Sequence, residues 1–183
     1  MTEGALMKKS VPRWQLVGFL FTCIAGTLLH FAYDWSGQSL PAALFSAVNE
    51  SIWEHMKLLY FPMFLFAVIQ SRFLSPEHPD FWCVKLIGFT AGLLLIPTVY
   101  YTYTGILGTS ADWFNITIFF IAAALSYGLE TRLLQSKAIP CAYPKLALFL
   151  LCLIGVSFMV LTFLPPHIPL FQDPRDGSFG RVV

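Results

Sequence analysis

Charged side chains are scarce in this chain. They make up 11% of its 183 residues, whereas a soluble domain carries about 25%. Hydrophobic residues make up 57%. This imbalance excludes an ordinary soluble domain and indicates an integral membrane protein. The formal net charge is only +1, so the chain also lacks the basic excess that nucleic-acid binding requires.

Cysteine is rare as well, with four residues and no CxxC spacing. Cys23 and Cys152 lie inside hydrophobic runs. Cys83 and Cys141 fall at the ends of runs that the charge pattern assigns to the cytoplasm, where thiols stay reduced. We therefore expect all four cysteines to be free and to serve as small packing residues.

The hydrophobic runs lack the alternation of polar and apolar residues that marks a membrane β-barrel. They predict an all-α fold, a polytopic membrane helical bundle of about five transmembrane helices in one integral membrane domain, 1–183. Residues 41–48 predict a short interfacial helix, and Pro62 and Pro97 predict kinks. The predicted spans run over about residues 14–33, 50–70, 83–103, 113–129 and 146–164, and residues 165–183 form a tail.

Lys and Arg predict the orientation of the spans. The first span is expected to be retained, because its apolar run continues to Trp35 without an A-x-A cleavage pattern. Basic residues of the inner segments place the N-terminus in the cytoplasm and the tail outside a cell membrane. Those residues are Lys8, Lys9, Arg13, Arg72, Lys85, Arg132, Lys137 and Lys145.

The segment Asn49–Lys57 concentrates ionisable residues at the start of the second span. Each such group costs roughly 2.5–3.5 kcal/mol when its helix is inserted into a membrane, so four within eight positions suggest a functional role. A helix from residue 50 would place Glu50, Glu54 and Lys57 on one face. The competing structural interpretation is a capping box, Ser51-x-x-Glu54.

His30 and Asp34 lie at the same outer end, on one face of the first span. The loop between the first two spans is short, which makes the spans antiparallel neighbours. We therefore expect His30 or Asp34 to approach the Asn49–Lys57 segment within about 4 Å, the reach of an ion pair. At the inner end we expect only ordinary basic loop residues.

One hypothesis for this polar cluster is a divalent metal site, with Zn²⁺ or Mn²⁺ as candidate ions and hydrolysis at the membrane surface as the chemistry. Glu54 and His55 are neighbours that point about 100° apart on a helix, so they do not share one metal easily. The candidate metal ligands are His30, Asp34, Glu50 and Glu54, and the candidate catalytic residues are Glu50, Glu54, His55 and Lys57.

Two further functions stay open. Carboxylates, a lysine and a histidine suit proton- or ion-coupled transport, although the chain lacks the internal repeat of many transporters and would rely on an oligomer for its pathway. The same charges, for example Glu54 with Lys57, suit a structural salt bridge in an accessory membrane protein. Membrane lipids are the expected partners, and the sequence identifies no substrate.

The strings from Gly26 to Ser36 and from Asn49 to Pro62 resemble a family of small bacterial integral membrane proteins of unknown function that carries the motif NESxWEHxK. The segments 101–108 and 165–173 resemble its later motifs. The resemblance covers most of the chain and implies a membrane fold without an assigned activity. Asn115 stands where the resemblance leads us to expect an acid, which weakens a role for the fourth span.

Overall fold

The structure is a computed structural model that describes residues 10–137 and 139–181. This part of the chain is helical, and no β-strand occurs in it. The helices are α1 (Ser10–Trp35), α2 (Leu40–Phe45), α3 (Ile52–Leu74), α4 (Phe81–Leu107), α5 (Asp112–Ser136) and α6 (Pro144–Phe163), and a 3-10 turn follows at Pro169–Phe171.

Five of these helices, all except α2, are long and apolar enough to cross a bilayer. The predicted all-α bundle of about five spans is therefore confirmed. The helices extend beyond the apolar runs that predict them: α5 continues past residue 129 to Ser136. Hydropathy marks where the bilayer ends, whereas helical hydrogen bonding continues into polar residues until a cap such as Lys137, with φ 50°, ends it.

The helix α3 forms the centre of the bundle and packs against α1, α4 and α6. Its Leu59, Tyr60 and Met63 are at most 1% exposed, and the Tyr60 hydroxyl donates a hydrogen bond to the Leu151 carbonyl of α6. Successive long helices reverse direction. We call the end of the bundle that carries residues 164–181 and the start of α3 the tail end, and the opposite end the basic end.

The helix α3 runs without a break through Pro62, and α4 runs through Pro97 in the same way. Proline has no N–H, so the carbonyl of Leu58, four residues before Pro62, has no donor in its own helix. Gly26 of α1 packs against this carbonyl: a Cβ added to Gly26 would lie 2.6 Å from the Leu58 oxygen. The missing side chain therefore allows α1 and α3 to approach closely.

The start of α3 differs from the prediction. The helix begins at Ile52, with Ser51 as its N-cap, and Glu50 lies in the preceding loop. The Asn49 side chain accepts a hydrogen bond from the Ser51 N–H at 3.0 Å, which takes the role that Glu54 would have in a capping box. Consequently Glu50 does not share a helix face with Glu54 and Lys57, and the prediction that all three lie on one face is wrong.

The tail folds back over the tail end of the bundle. The Phe171 ring packs 4.6 Å from the Trp53 ring, measured between centroids. The Asn49 side chain donates to the Gly180 carbonyl at 3.0 Å, and the Arg181 N–H donates to the Thr162 carbonyl at 3.0 Å. These contacts attach the last described residues to the loop before α3, so the tail lies against the polar segment Asn49–Lys57.

Buried polar side chains also occur at the basic end, which corrects the expectation of ordinary loop residues there. Lys85, counted above among the basic loop residues, is 1% exposed and pairs with Glu130 at 2.6 Å. Lys85 therefore does not bear on the orientation of the helices, and Lys8 and Lys9 lie outside the described residues. The buried set at this end comprises Gln15, Gln70, His78, Asp80, Lys85 and Glu130.

Two of the four cysteines are joined, which overturns the prediction that all are free. Cys83, in the first turn of α4, forms a disulfide with Cys141, just before α6, and their Cα atoms are 6.0 Å apart. Cys23 and Cys152 are free. The two cysteines are 58 residues apart along the chain, and the packing of α4 beside α6 brings them together at the basic end.

Candidate metal centre

Two histidines and one glutamate meet at the tail end. His30 comes from the last turns of α1, Glu50 from the loop before α3 and His55 from the first turn of α3. One ligand atom from each lies within 4.8 Å of the other two. His30 Nε2 is 3.9 Å from Glu50 Oε1, and His55 Nε2 is 3.5 Å from Glu50 Oε2. The prediction that His30 approaches the Asn49–Lys57 segment is confirmed.

The hydrogen bond of His55 determines which of its ring nitrogens is free. Its Nδ1 lies 2.9 Å from the Ser51 carbonyl oxygen, which can only accept a hydrogen bond. Nδ1 must therefore carry the proton, and in the neutral ring Nε2 presents a lone pair toward the Glu50 carboxylate. A proton or a metal ion between this nitrogen and Glu50 Oε2, 3.5 Å away, would satisfy both acceptors.

His30 completes the group. Its Nδ1 is buried and has no hydrogen-bond partner among the described residues, whereas its Nε2 faces Glu50. The His30 and His55 rings lie 5.5 Å apart between centroids. The three side chains are about a quarter to a third exposed, so an ion could reach them from the tail end.

The tail holds Glu50 in place. One oxygen of the Asp173 carboxylate accepts a hydrogen bond from the backbone N–H of Glu50 at 2.9 Å. The other oxygen accepts one from the backbone N–H of Arg175 at 2.8 Å. The Arg175 guanidinium then lies 3.3 Å from Glu50 Oε1 and 3.8 Å from Asp112 Oδ2. It bridges the loop before α3 and the start of α5 across the mouth of the site.

A cavity of about 310 Å³ lies in front of the three side chains, between α1 and α5. His30, Glu50 and His55 form one side of it, with Arg175 and Asp112 at the mouth. Asn115, where an acid is expected from the family resemblance, also lines the cavity and accepts a hydrogen bond from the Tyr103 hydroxyl. The remaining walls are mainly apolar and comprise Gly26, Thr27, Phe31, Leu58, Ile116, Phe119 and Phe120.

A family profile matches residues 5–181, which include all of the described helices and the folded tail. The chain belongs to DUF6512, a family of unknown function. The resemblance to a family of unknown function is thereby confirmed. No curated protein and no solved structure matches the chain.

Glu54 and Lys57 lie apart from the three candidate ligands, in a buried cluster of their own. Lys57 Nζ donates to Glu54 Oε2 at 2.7 Å, to the Thr162 hydroxyl at 2.8 Å and to the Ala43 carbonyl at 2.9 Å. The other Glu54 oxygen accepts the Thr162 hydroxyl at 2.8 Å, and Oε2 also accepts the Val48 N–H at 3.1 Å. All three ammonium protons are used, which supports a structural role for this pair.

Asp34 lies one turn beyond His30 and is exposed. Within residues 10–137 and 139–181 it forms no ion pair. Of the four predicted metal ligands, the structure thus brings together His30 and Glu50, and it adds His55, which appears above as a catalytic candidate. Arg175 is a basic residue of the tail, and the sequence does not mark it as part of the site. No local pattern links it to Glu50, because the contact depends on how the tail folds back.

Proposed function

We propose that the chain binds a divalent transition-metal ion, with Zn²⁺ the best fit, through His30, Glu50 and His55, and that the bound ion serves hydrolysis at the membrane surface. One observation carries this proposal: three ligand atoms of suitable type lie within 4.8 Å of one another. Two imidazole nitrogens and one carboxylate form a ligand set of catalytic zinc sites. Such a set leaves a coordination position open and supplies Lewis-acid activation of water.

The distances are compatible with a modest contraction around an ion. Zinc bonds of about 2.0–2.2 Å place neighbouring ligand atoms of a tetrahedral site about 3.3–3.6 Å apart. His55 Nε2 lies 3.5 Å from Glu50 Oε2, which matches this spacing, and His30 Nε2 lies 3.9 Å from the other oxygen, Oε1. With one ligand atom from each residue the three atoms lie within 4.8 Å of one another, so the side chains would draw closer around an ion. His55 also donates its Nδ1–H to the Ser51 carbonyl, and a hydrogen bond of this kind fixes the ring orientation of most zinc-binding histidines.

Zinc titration of the purified protein tests the proposal. We expect one zinc ion per chain, with binding lost in His55→Asn and in Glu50→Gln. The matched control is His167→Asn, which removes an exposed histidine from the same end of the bundle. Zinc that remains bound in both site variants, or that is lost equally in the control, would show adventitious binding and reject the metal centre.

Further measurements on the same variants separate the alternatives. A transport role predicts that proteoliposomes with the wild-type protein take up zinc and that proteoliposomes with the site variants do not. A scaffold role predicts that the variants lower the melting temperature while no form of the protein binds zinc. Hydrolysis adds a requirement that neither alternative has, namely turnover of an ester or amide substrate that depends on bound zinc.

We also propose that the chain is a multi-pass protein of the cell membrane, with the basic end in the cytoplasm and the candidate metal centre outside. Exposed Arg13, Arg72, Arg132, Lys137 and Lys145 at the basic end support this orientation. In the cytoplasm a disulfide is usually transient. The bridge between Cys83 and Cys141 would then be reversible in this orientation.

A further inference from the structure

The cavity in front of the candidate metal centre opens toward the surrounding membrane. Three of its wall residues, Phe31, Ile116 and Phe120, are 44%, 59% and 38% exposed on the outer surface of α1 and α5. In a helix that crosses a bilayer, such apolar surface faces lipid. A molecule could therefore enter from the side, between α1 and α5, with an apolar part remaining among the lipid chains.

The mouth of the cavity is polar and its charge depends on the metal. Glu50 and Asp112 contribute two negative charges, and Arg175 contributes one positive charge. Without an ion the mouth is negative overall, and a divalent cation at His30, Glu50 and His55 makes it positive. The Arg175 side chain is 61% exposed, so its remaining N–H groups can reach an incoming ligand.

We propose that the cavity binds a single-chain amphiphile with a phosphate-type oxyanion as its head group, an inference that rests on the proposed metal centre. The head group lies between Arg175 and the bound ion, because a guanidinium and a metal both prefer anionic oxygen ligands. The first part of the alkyl chain lies against Phe31, Ile116 and Phe119. The volume of about 310 Å³ is near the lower limit of small-molecule sites, which suits a head group with part of one chain.

Dodecyl phosphate is a suitable probe, and its binding can be measured by equilibrium dialysis of the detergent-solubilised chain with and without zinc. Inorganic phosphate, which has no alkyl chain, tests whether the alkyl chain contributes to binding. Dodecanol, which has no charge, tests whether the charged head group contributes. We expect zinc-dependent binding of dodecyl phosphate that is at least tenfold tighter than the binding of either comparison compound. Equal binding of inorganic phosphate would show that a free oxyanion is the ligand, and equal binding of dodecanol would show an apolar groove; each result overturns the inference.

Two variants localise the bound probe. Arg175→Gln removes the cationic partner of the head group and should weaken binding about tenfold, as the loss of a charge-assisted hydrogen bond does. Ile116→Trp places a large side chain beside the cavity and should also weaken binding. The matched controls are Arg132→Gln at the basic end and Leu125→Trp, an exposed position on the same helix as Ile116. Unchanged binding in both site variants would place the probe elsewhere and overturn the inference.

Zinc binding is measured first on the same samples, which separates the two proposals. If zinc binds and the amphiphile does not, the inference about the cavity is wrong while the metal centre stands. If His30, Glu50 and His55 bind no zinc, the proposed function is wrong, and the zinc-dependent amphiphile site is wrong with it.

Discussion

Asp173 accepts a hydrogen bond from the backbone N–H of Glu50 at 2.9 Å, although 123 residues separate the two along the chain. The other oxygen of the same carboxylate accepts the N–H of Arg175. One aspartate therefore fixes both a candidate metal ligand and the cation that lies beside it. The site is assembled from α1, the loop before α3, the first turn of α3 and the tail, and Asp173 joins the tail to that loop at Glu50.

This arrangement makes the zinc affinity sensitive to Asp173. In Asp173→Asn the amide NH₂ replaces one acceptor oxygen and faces an N–H donor, so one of the two hydrogen bonds is lost. Loss of an outer-shell partner typically weakens a metal site about 10–100-fold. Isothermal titration with zinc should show a weakening of this order. Asp176→Asn is the control, because Asp176 is in the same tail and accepts a hydrogen bond from the nearby Ser178 N–H.

An Asp173→Asn protein with wild-type zinc affinity would contradict this role of the tail. If any mutation in the tail weakened zinc binding, Asp176→Asn would weaken it as much as Asp173→Asn does, so the control detects a general effect. Near-ultraviolet circular dichroism of the same samples reports whether the Trp53 and Phe171 contact survives, and hence whether the tail is still docked.

The fold was predictable from the sequence because a bilayer leaves few choices. Backbone groups in hydrocarbon must be hydrogen bonded within the chain, so each long apolar run becomes a helix. Glu50 and His55 were identifiable because ionisable residues are rare in such runs. The start of α3 was misplaced because the capping role of Asn49 is specific to this loop and hydropathy does not report it.

The contacts that the sequence did not reveal are long-range. Arg175 reaches Glu50 only after the tail has folded back onto Trp53, and Cys83 meets Cys141 only when α4 and α6 have packed. The pair Lys85 and Glu130 was missed for a related reason: Lys85 is near the end of an apolar run and resembles a loop charge, but its helix starts at Phe81. Separation along the chain hides all three.

The pair of Glu54 and Lys57 should behave as a structural ion pair. Glu54→Gln leaves the buried Lys57 ammonium without its counter-charge, and breaking such a pair costs about 3–5 kcal/mol of unfolding free energy. The double variant with Lys57→Met should recover much of this loss, because both charges are gone. Thermal unfolding measures the stability, and Glu77→Gln, an exposed acid at the basic end, serves as the control.

Zinc binding distinguishes a structural role of Glu54 from a functional one. If Glu54 is structural, folded Glu54→Gln protein at low temperature binds one zinc ion as the wild type does. A folded variant that has lost its zinc while its melting temperature is unchanged would instead make Glu54 a metal ligand.

The close approach of α1 and α3 predicts a stability effect at Gly26. A Cβ at this position would lie 2.6 Å from the Leu58 carbonyl oxygen and 2.6 Å from the Phe119 ring, and a backbone oxygen cannot move aside as a side chain can. Overpacking of this kind typically costs about 1–3 kcal/mol, so Gly26→Ala should lower the melting temperature. At Gly128 nothing lies within 4 Å, and Gly128→Ala should be neutral or slightly stabilising. Equal melting temperatures for the two variants would mean that α1 and α3 do not pack this closely.

Cysteine accessibility tests the proposed orientation. Ser110 precedes α5 at the tail end and Ser136 ends α5 at the basic end, and both are exposed. In a chain whose four native cysteines are replaced by alanine, we expect a membrane-impermeant maleimide to label Ser110→Cys in intact cells. Ser136→Cys should react only after the cells are permeabilised.

The native disulfide provides an independent check of sidedness. Cys83 and Cys141 lie at the basic end, and disulfides persist mainly in oxidising compartments. With this end in the cytoplasm, acid-trapped cells should contain the pair largely as thiols, which an alkylating mass tag would count after lysis. A fully oxidised pair in such cells, together with labelling of Ser136→Cys from outside, would reverse the orientation. The metal centre and its cavity would then face the cytoplasm, where their ligands must be sought, while the contacts among His30, Glu50 and His55 stay the same.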